Sequence, residues 1–105
     1  MELNKNVKLI ALYDVYGKSL TEKQQQVFDL GVLQDLSLAE VSDLLNITRQ
    51  AVKFSLDNTI VLLERLESQL QILKKFDTIK VKLNSLKNIV DESLKFKIDE
   101  ILEEL

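Results

Sequence analysis

The chain contains no cysteine, no histidine and no proline, and only two of its 105 residues are glycine. Without cysteine, neither a disulfide framework nor a thiolate metal site can form. The lack of histidine removes the commonest catalytic base and the commonest metal ligand. Two isolated glycines cannot build a glycine-rich phosphate loop. We therefore predict a protein that is not an enzyme and that uses neither a metal nor a cofactor.

Long apolar runs and a surplus of positive charge are also missing. No stretch approaches the ~20 apolar residues of a membrane span, and the N-terminus lacks a signal-peptide pattern, so we expect a cytoplasmic protein with no membrane partner. The net charge is −3, from 14 Lys or Arg and 17 Asp or Glu. This balance argues against indiscriminate nucleic-acid binding, because neutralising phosphates requires local positive charge. It is compatible with a specific binder whose few basic residues share one face.

The residues that are present favour helix throughout. Apolar residues make up 46% of the chain, and leucine, lysine and glutamate are plentiful. Long unbranched side chains lose little rotamer freedom in a helix, and proline, which breaks helices, is absent. We therefore predict an all-α fold, with one compact domain and a helical extension.

The stretch from Asp35 to Leu56 predicts two short helices joined by a tight turn. Ser37 and Glu40 fit a capping box at the start of the first helix. Asn46 tolerates the left-handed conformation that ends a helix, and Thr48 can cap the second helix. The predicted inward side chains recur at helical spacing; they are Leu38, Val41 and Leu45, with Leu44 beside them, and then Ile47, Val52 and Leu56. This arrangement is that of a helix-turn-helix, whose second helix enters the DNA major groove.

The outer face of the second helix carries the candidate DNA-reading residues. Thr48, Arg49 and Gln50 stand at its start, where recognition helices place their base-contacting side chains. Arginine can pair with guanine and glutamine with adenine through two hydrogen bonds each. The remaining candidates are suited to phosphate contacts, Lys53 also to a base; they are Lys53, Ser37 and Lys23. The alternative is a corner between two helices with an ordinary polar outer face, and we favour DNA binding over it.

Two further helices are predicted before this motif. Residues 3–16 form an apolar surface wider than one stripe, with Leu3 and Val7 among its members. Such a helix is either central in the monomer or part of a dimer contact, and Gly17 ends it. Thr21 and Gln24 form a second capping box that opens a helix to about Val32 or Leu33. Gly31 within that helix permits a close crossing with a neighbouring helix.

The amphipathic pattern continues from the motif to the end of the chain. We predict one long helix from Thr48 to about Lys75, followed by one or two more. Without proline or glycine the breaks must come from polar caps, and the candidates are Asp77-Thr78, Asn84-Ser85 and Asp91. This gives a helix-turn-helix domain over residues 1–66 and, over residues 67–105, a C-terminal helical extension that packs on the core or on a partner chain.

The apolar seam of the extension predicts self-association. A helix-turn-helix core of about 65 residues cannot cover a further seam of about 40 residues. The C-terminal helices could instead fold back on the first helix of the same chain. We favour a homodimer, since a two-fold protein would also match a two-fold operator with half-sites ~34 Å apart.

Three blocks carry a resemblance to a known family. They are L-T-E-K-Q at Leu20–Gln24, D-L-S-L-A-E-V at Asp35–Val41 and T-R-Q-A-V at Thr48–Val52. In sequence and spacing, over about residues 3–66, the chain resembles the YlxM family of small bacterial proteins. That family resembles in turn the helix-turn-helix of region 4 of bacterial sigma factors, where L-T-x-x-Q likewise precedes the motif.

The resemblance implies an all-helical fold and binding to double-stranded DNA. Carried over by position, the implied DNA-contacting face is Thr48, Arg49, Gln50 and Lys53. The genes of the family often neighbour those of the signal recognition particle GTPases, which implies a role in that pathway or in its regulation.

The chain departs from the family pattern at two places. Asn46 stands where the family usually has glycine, and Lys53-Phe54-Ser55 replaces a segment that more often reads aromatic, acidic, polar. Phe54 lies nearly opposite Val52, so we expect it to be exposed in a monomer. It would then contact thymine methyl groups or be covered by a partner, and we favour the partner. A second hypothesis follows: a helical adaptor that binds protein or RNA of the signal recognition particle without specific DNA binding.

Overall fold

The computed structural model describes the backbone from Glu2 to Leu105 and the side chains from Asn6 onward. Within these residues the protein is all-α, as predicted, and its contacts divide it into one unit ending at Leu70 and another over residues 71–105. The helices are α1 Glu2–Tyr16, α2 Glu22–Phe28, α3 Leu38–Leu45, α4 Arg49–Leu70, α5 Ile72–Lys87 and α6 Glu92–Glu103. The side chain of Leu3, predicted to lie on the apolar face of the first helix, is outside the described set.

Helix α1 packs against α4 in the first unit. It ends at Tyr16, where a short 3₁₀ turn from Gly17 to Ser19 begins, so the predicted end of this helix is confirmed. Leu9, Leu12 and Tyr16 are buried. The Tyr16 hydroxyl donates a 2.6 Å hydrogen bond to the Glu67 carboxylate, which ties the end of α1 to the last turns of α4. Burial therefore accounts for only part of the wide apolar surface predicted for this helix, because Val7 is 59% exposed.

Helix α2 begins at the predicted capping box. The Thr21 hydroxyl accepts from the Gln24 amide, and the Gln24 side chain accepts from the Thr21 amide. The helix continues to Leu33, as predicted, but Asp29–Leu33 is wound as a π-helix with one extra residue in the turn. Gly31 lies in this turn, and a Cβ atom there would stand 3.2 Å from Leu56 Cδ1. The close helix crossing predicted at Gly31 is therefore confirmed.

The core of the helix-turn-helix is formed by one fully buried valine from each of three helices, Val27, Val41 and Val52. The partly buried side chains packed around them are Leu30, Leu36, Leu45, Ile47 and Leu56. Along α4 the buried row continues through Thr59 and Leu63. The first turns of α4 are thus held by packing on one side only, which leaves their opposite face to solvent.

The second unit is a hairpin of α5 and α6. Asp91 caps α6 by accepting a 3.2 Å hydrogen bond from the Leu94 amide, so the break predicted at Asp91 is confirmed. The two breaks predicted at Asp77-Thr78 and Asn84-Ser85 are wrong, because both pairs lie inside α5. The Thr78 hydroxyl bonds back to the Lys74 carbonyl and so leaves the helix intact.

The predicted single helix from Thr48 to about Lys75 is also wrong at its end. Helix α4 stops at Leu70, and Gln71 adopts a left-handed conformation with φ of 54°. The side chain of Gln71, which is the N-cap residue, does not cap α5, and the break coincides with the left-handed backbone of Gln71. A left-handed residue interrupts the i to i−4 hydrogen-bond ladder wherever it occurs, whatever its side chain.

Candidate nucleic-acid interface

The turn between α3 and α4 is closed by three hydrogen bonds. Asn46 adopts the predicted left-handed conformation, with φ of 55° and ψ of 45°, and its amide donates to the Ser42 carbonyl. The Ile47 amide donates to the same carbonyl at 3.2 Å. The Ser42 hydroxyl donates in turn to the Ile47 carbonyl. Ile47 also packs into the valine core, so both backbone and side chain fix the angle at which α4 leaves the turn.

The start of α3 is a complete capping box. The Ser37 hydroxyl accepts from the Glu40 amide at 3.1 Å, and the Glu40 carboxylate accepts from the Ser37 amide at 3.0 Å. This amide, followed by the Ser37 hydroxyl, holds the pKa of Glu40 below its ordinary value of 4.5. The Ser37 hydroxyl is therefore engaged within the protein.

The start of α4 is capped as predicted, because the Thr48 hydroxyl accepts from the Ala51 amide at 3.0 Å. Arg49 and Gln50 are exposed on the first turn. In the part of the chain that the structure describes, neither side chain has a hydrogen-bond or ion-pair partner. Lys53, one turn later, forms a 2.9 Å ion pair with Asp57. The structure thus brings Thr48, Arg49, Gln50 and Lys53 together on one exposed helix start, with the charge of Lys53 partly offset.

The two remaining candidate residues lie at the starts of other helices. Lys23 is exposed on the first turn of α2, and Ser37 is the exposed N-cap of α3. Each stands near backbone N–H groups that point along the helix axis, a position that suits a phosphate oxygen. Both remain candidates for contacts to the DNA backbone.

Three large apolar side chains of the motif are exposed, and one of them, Leu38 at 38%, was predicted to face inward. Phe54 is 68% exposed on α4, as predicted, whereas Leu44 on α3 is 64% exposed and does not join the buried row beside which the sequence placed it. Leu44 lies at the margin of the apolar stripe of α3, and the neighbouring helices cover only the centre of that stripe at Val41. Spacing alone could not locate this margin.

The charge around the motif is negative on balance. Residues 1–70 contain seven Lys or Arg and ten Asp or Glu, and α3 itself exposes Glu40 and Asp43. Among the described residues, no group of histidine, cysteine, aspartate or glutamate side chains could hold a metal ion. No described helix has both the length and the apolar character to cross a membrane.

A short helix, a three-residue turn and a longer second helix with an exposed polar start define a helix-turn-helix protein. The matching family model covers residues 3–104 and is described as "Putative helix-turn-helix protein, YlxM / p13 like". The chain belongs to this family.

Several bacterial relatives support the assignment. The YlxM protein of Bacillus subtilis is 37% identical over 93 residues, which are 89% of this chain and 84% of the relative. A family member of Mycoplasma mycoides is 38% identical over 91 residues, covering 86% of this chain and 80% of the relative. One from Thermoanaerobacter is 40% identical over 80 residues, covering 76% and 68%.

Proposed function

We propose that this protein is a cytoplasmic, homodimeric DNA-binding regulator that presents the start of α4 to the major groove. The observation that carries the proposal is the pair Arg49 and Gln50, exposed and unpartnered on a helix start whose direction is fixed by the hydrogen-bonded turn. Unpartnered polar side chains of these two types are suited to reading guanine and adenine. The proposed role is binding rather than catalysis.

Each side chain of the interface has a proposed role. Arg49 and Gln50 contact base edges, while Lys53 contacts a phosphate or a base. Lys53 can exchange Asp57 for a phosphate at little expense, because an exposed ion pair contributes at most about 1 kcal/mol. Thr48 continues to cap α4 and donates its hydroxyl hydrogen to the DNA backbone. Ser37 at the start of α3 and Lys23 at the start of α2 contact DNA phosphates.

The excess of acidic residues in residues 1–70 determines how strongly the protein should bind DNA of arbitrary sequence. Non-specific affinity comes almost entirely from phosphate neutralisation, so it should be weak here. A two-fold arrangement would offset this weakness by joining two half-sites, with their centres ~34 Å apart on one face of the duplex. The proposal therefore predicts a short palindromic site rather than general DNA retention.

The test is selection of duplexes from a random-sequence pool by the purified protein, at low and at moderate salt. A palindromic motif should be enriched, and Arg49→Ala should weaken binding to it by about 1–3 kcal/mol. Arg65→Ala is the matched control, since Arg65 is also exposed on α4 but far from its start. Absence of enrichment at low salt, or equal affinity of the Arg49 variant and the wild type, would overturn the proposal.

A second candidate function is an adaptor that binds protein or RNA of the signal recognition particle. Phe54, 68% exposed beside the same helix start, favours it, because a large apolar side chain at the centre of a surface is suited to a protein partner. The test is retention of purified signal recognition particle RNA and GTPase on the immobilised chain. Phe54→Ala should reduce retention and Arg49→Ala should not if this function holds; the opposite result favours DNA.

A further inference from the structure

Asp57 lies on the same face of α4 as residues that the proposed function places against DNA. It follows Gln50 by seven positions and Lys53 by four, so helical periodicity puts the three side chains on one side of the helix. All three are exposed. Val52 and Thr59 are buried and mark the packed side of the helix. The surface presented by the first turns of α4 therefore includes a carboxylate beside its cations.

Asp57 is also near enough to the start of α4 to enter the major groove with it. Asp57 stands eight positions after Arg49, which is about 12 Å along the helix axis, and the groove is about 12 Å wide. Glu64 lies on the same side of the helix, seven positions further on, at about 22 Å from Arg49. Asp57 is therefore within reach of base edges when the start of α4 is in the groove, whereas Glu64 is outside the groove.

In the free protein the Asp57 carboxylate is paired with Lys53. Lys53 Nζ lies 2.9 Å from Asp57 Oδ2, and the two side chains remain 64% and 59% exposed. An exposed ion pair of this kind is weak, so a DNA phosphate can take the place of Asp57 at Lys53. This exchange leaves the Asp57 carboxylate without its cation on a surface that faces phosphates.

A carboxylate without a cation at this position lowers the affinity for most DNA sequences. It is repelled by the phosphates and loses hydration in the groove. A hydrogen bond from a base edge offsets both effects, and the donors in the major groove are the amino groups of cytosine and adenine. The adenine amino group lies beside the N7 acceptor, which repels a carboxylate, whereas cytosine presents only its N4 amino group. Cytosine is therefore the base that best compensates a carboxylate.

We propose that Asp57 is a specificity-determining residue of the interface, an inference that rests on the proposed DNA-binding function. In the absence of DNA, Asp57 holds Lys53. At a matching site, Lys53 moves to a phosphate and the Asp57 carboxylate accepts a hydrogen bond from the N4 amino group of a cytosine. At other sequences the carboxylate has no donor, so Lys53 stays with Asp57 and contributes little to binding. Asp57 thus makes the exchange of Lys53 conditional on the base sequence.

The first experiment repeats the selection from a random-sequence duplex pool with Asp57→Ala. The variant should lose the preference for cytosine at one position of each half-site and keep the other preferences. Its affinity for a duplex with the scrambled motif should rise at least about threefold at low salt, because a negative charge is removed and Lys53 is released. Glu64→Ala is the matched control, since it removes an exposed carboxylate from the same side of α4 outside the groove. The control should keep every base preference and stay within about twofold of the wild-type affinity.

The second experiment is a double-mutant cycle between Lys53 and Asp57 on the scrambled duplex. Lys53→Ala alone should change the affinity by less than about twofold, because Asp57 already holds this cation. In the Asp57→Ala background, Lys53→Ala should weaken binding at least about fivefold and reduce the salt slope by about one. Circular dichroism of all variants checks that the helices persist.

The outcomes separate this inference from the proposed function. A wild-type protein that enriches no motif even at low salt would overturn both. A wild-type motif that Asp57→Ala selects with every preference intact would overturn the role of Asp57 alone. The same holds if Asp57→Ala and Glu64→Ala raise the affinity for the scrambled duplex equally, or if the effects of Lys53→Ala and Asp57→Ala are additive. The ion pair would then only stabilise the helix.

Discussion

The two units of the molecule differ sharply in how much they bury. Nine buried apolar side chains lie between Asn6 and Leu70, whereas residues 71–105 contain one. The second unit has half as many residues as the first but buries about a ninth as many apolar side chains. Both units are nevertheless mainly helical and similarly rich in leucine. Helix propensity therefore determines the local secondary structure, whereas the number of helices that pack together determines how many apolar side chains are buried. The first unit brings four helices together and the second only two.

The largest effect should come from the core of the first unit. Leu63 is fully buried on α4, and Leu63→Ala should lower the free energy of unfolding by about 2–5 kcal/mol through lost burial and the cavity left behind. Urea denaturation followed by circular dichroism measures this. The matched control is Leu70→Ala at the exposed end of the same helix, which should change it by less than about 1 kcal/mol. Equal effects at the two positions would show that Leu63 does not belong to the tightly packed core of the first unit.

The helix caps distinguish the two units more finely. Ser37→Ala removes the cap of α3 and should destabilise the first unit by about 1 kcal/mol. Asp91→Ala removes the cap of α6 and should speed amide exchange there while leaving α1 to α4 protected, because the hairpin opens as its own cooperative unit. Hydrogen exchange on both variants gives the comparison. Faster exchange in α1 after Asp91→Ala would mean that the units unfold together.

A smaller effect, of opposite sign, is expected at Thr59. Its hydroxyl is buried on α4 with no hydrogen-bond partner among the described side chains and backbone, so it loses hydration in the folded state without compensation. Thr59→Val should raise the free energy of unfolding by up to about 1 kcal/mol. Thr48→Val is the control, since its hydroxyl caps α4 and its loss should lower stability. A Thr59 variant less stable than the wild type would imply a partner for this hydroxyl.

The smallest expected effect is the dependence of stability on pH, which involves one carboxylate in each unit. Hydrogen bonds from Ser37 lower the pKa of Glu40 below 4.5, and those from the Ser93 hydroxyl and then the Leu94 amide lower the pKa of Asp91 below 3.8. A carboxyl with a lower pKa in the folded state stabilises the protein above its unfolded pKa and ceases to do so as pH falls through the folded value. Stability should therefore decline below about pH 4.5. Glu40→Gln, which keeps an accepting oxygen, should make the decline of the first unit shallower, and an unchanged pH profile would argue against Glu40 as a contributor.

Local chemistry made most of the first unit predictable. Two capping boxes, the left-handed Asn46 and the cap at Thr48 all depend on residues within three or four positions of one another, and all are confirmed. The break at Gln71 could not be foreseen, because glutamine has no preference for the left-handed region and its own side chain does not cap α5. The two helix breaks wrongly predicted within α5 have a different cause. Short polar residues on the solvent-facing side of a helix have the same side chains as helix caps, so the sequence alone does not distinguish them.

The candidate site was predictable in its placement but not in its charge environment. The helical spacing identified Arg49, Gln50 and Lys53 as exposed, and they are. The ion pair of Lys53 with Asp57 joins residues four positions apart and could have been read from the sequence. The hydrogen bond of Tyr16 with Glu67 joins residues 51 positions apart, and only the packing of α1 on α4 reveals it.

The bond from the Ser42 hydroxyl to the Ile47 carbonyl has a consequence for association kinetics. Since the turn before α4 is already closed, a partner at the start of that helix does not have to order the backbone, and ordering one residue costs about 1–2 kcal/mol. Only side chains must then adjust on binding, so the association rate constant should be limited by diffusion and orientation rather than by a conformational change. Differences in affinity among variants at the start of α4 should then appear mainly in the dissociation rate. Ser42→Ala should transfer part of the difference to the association rate.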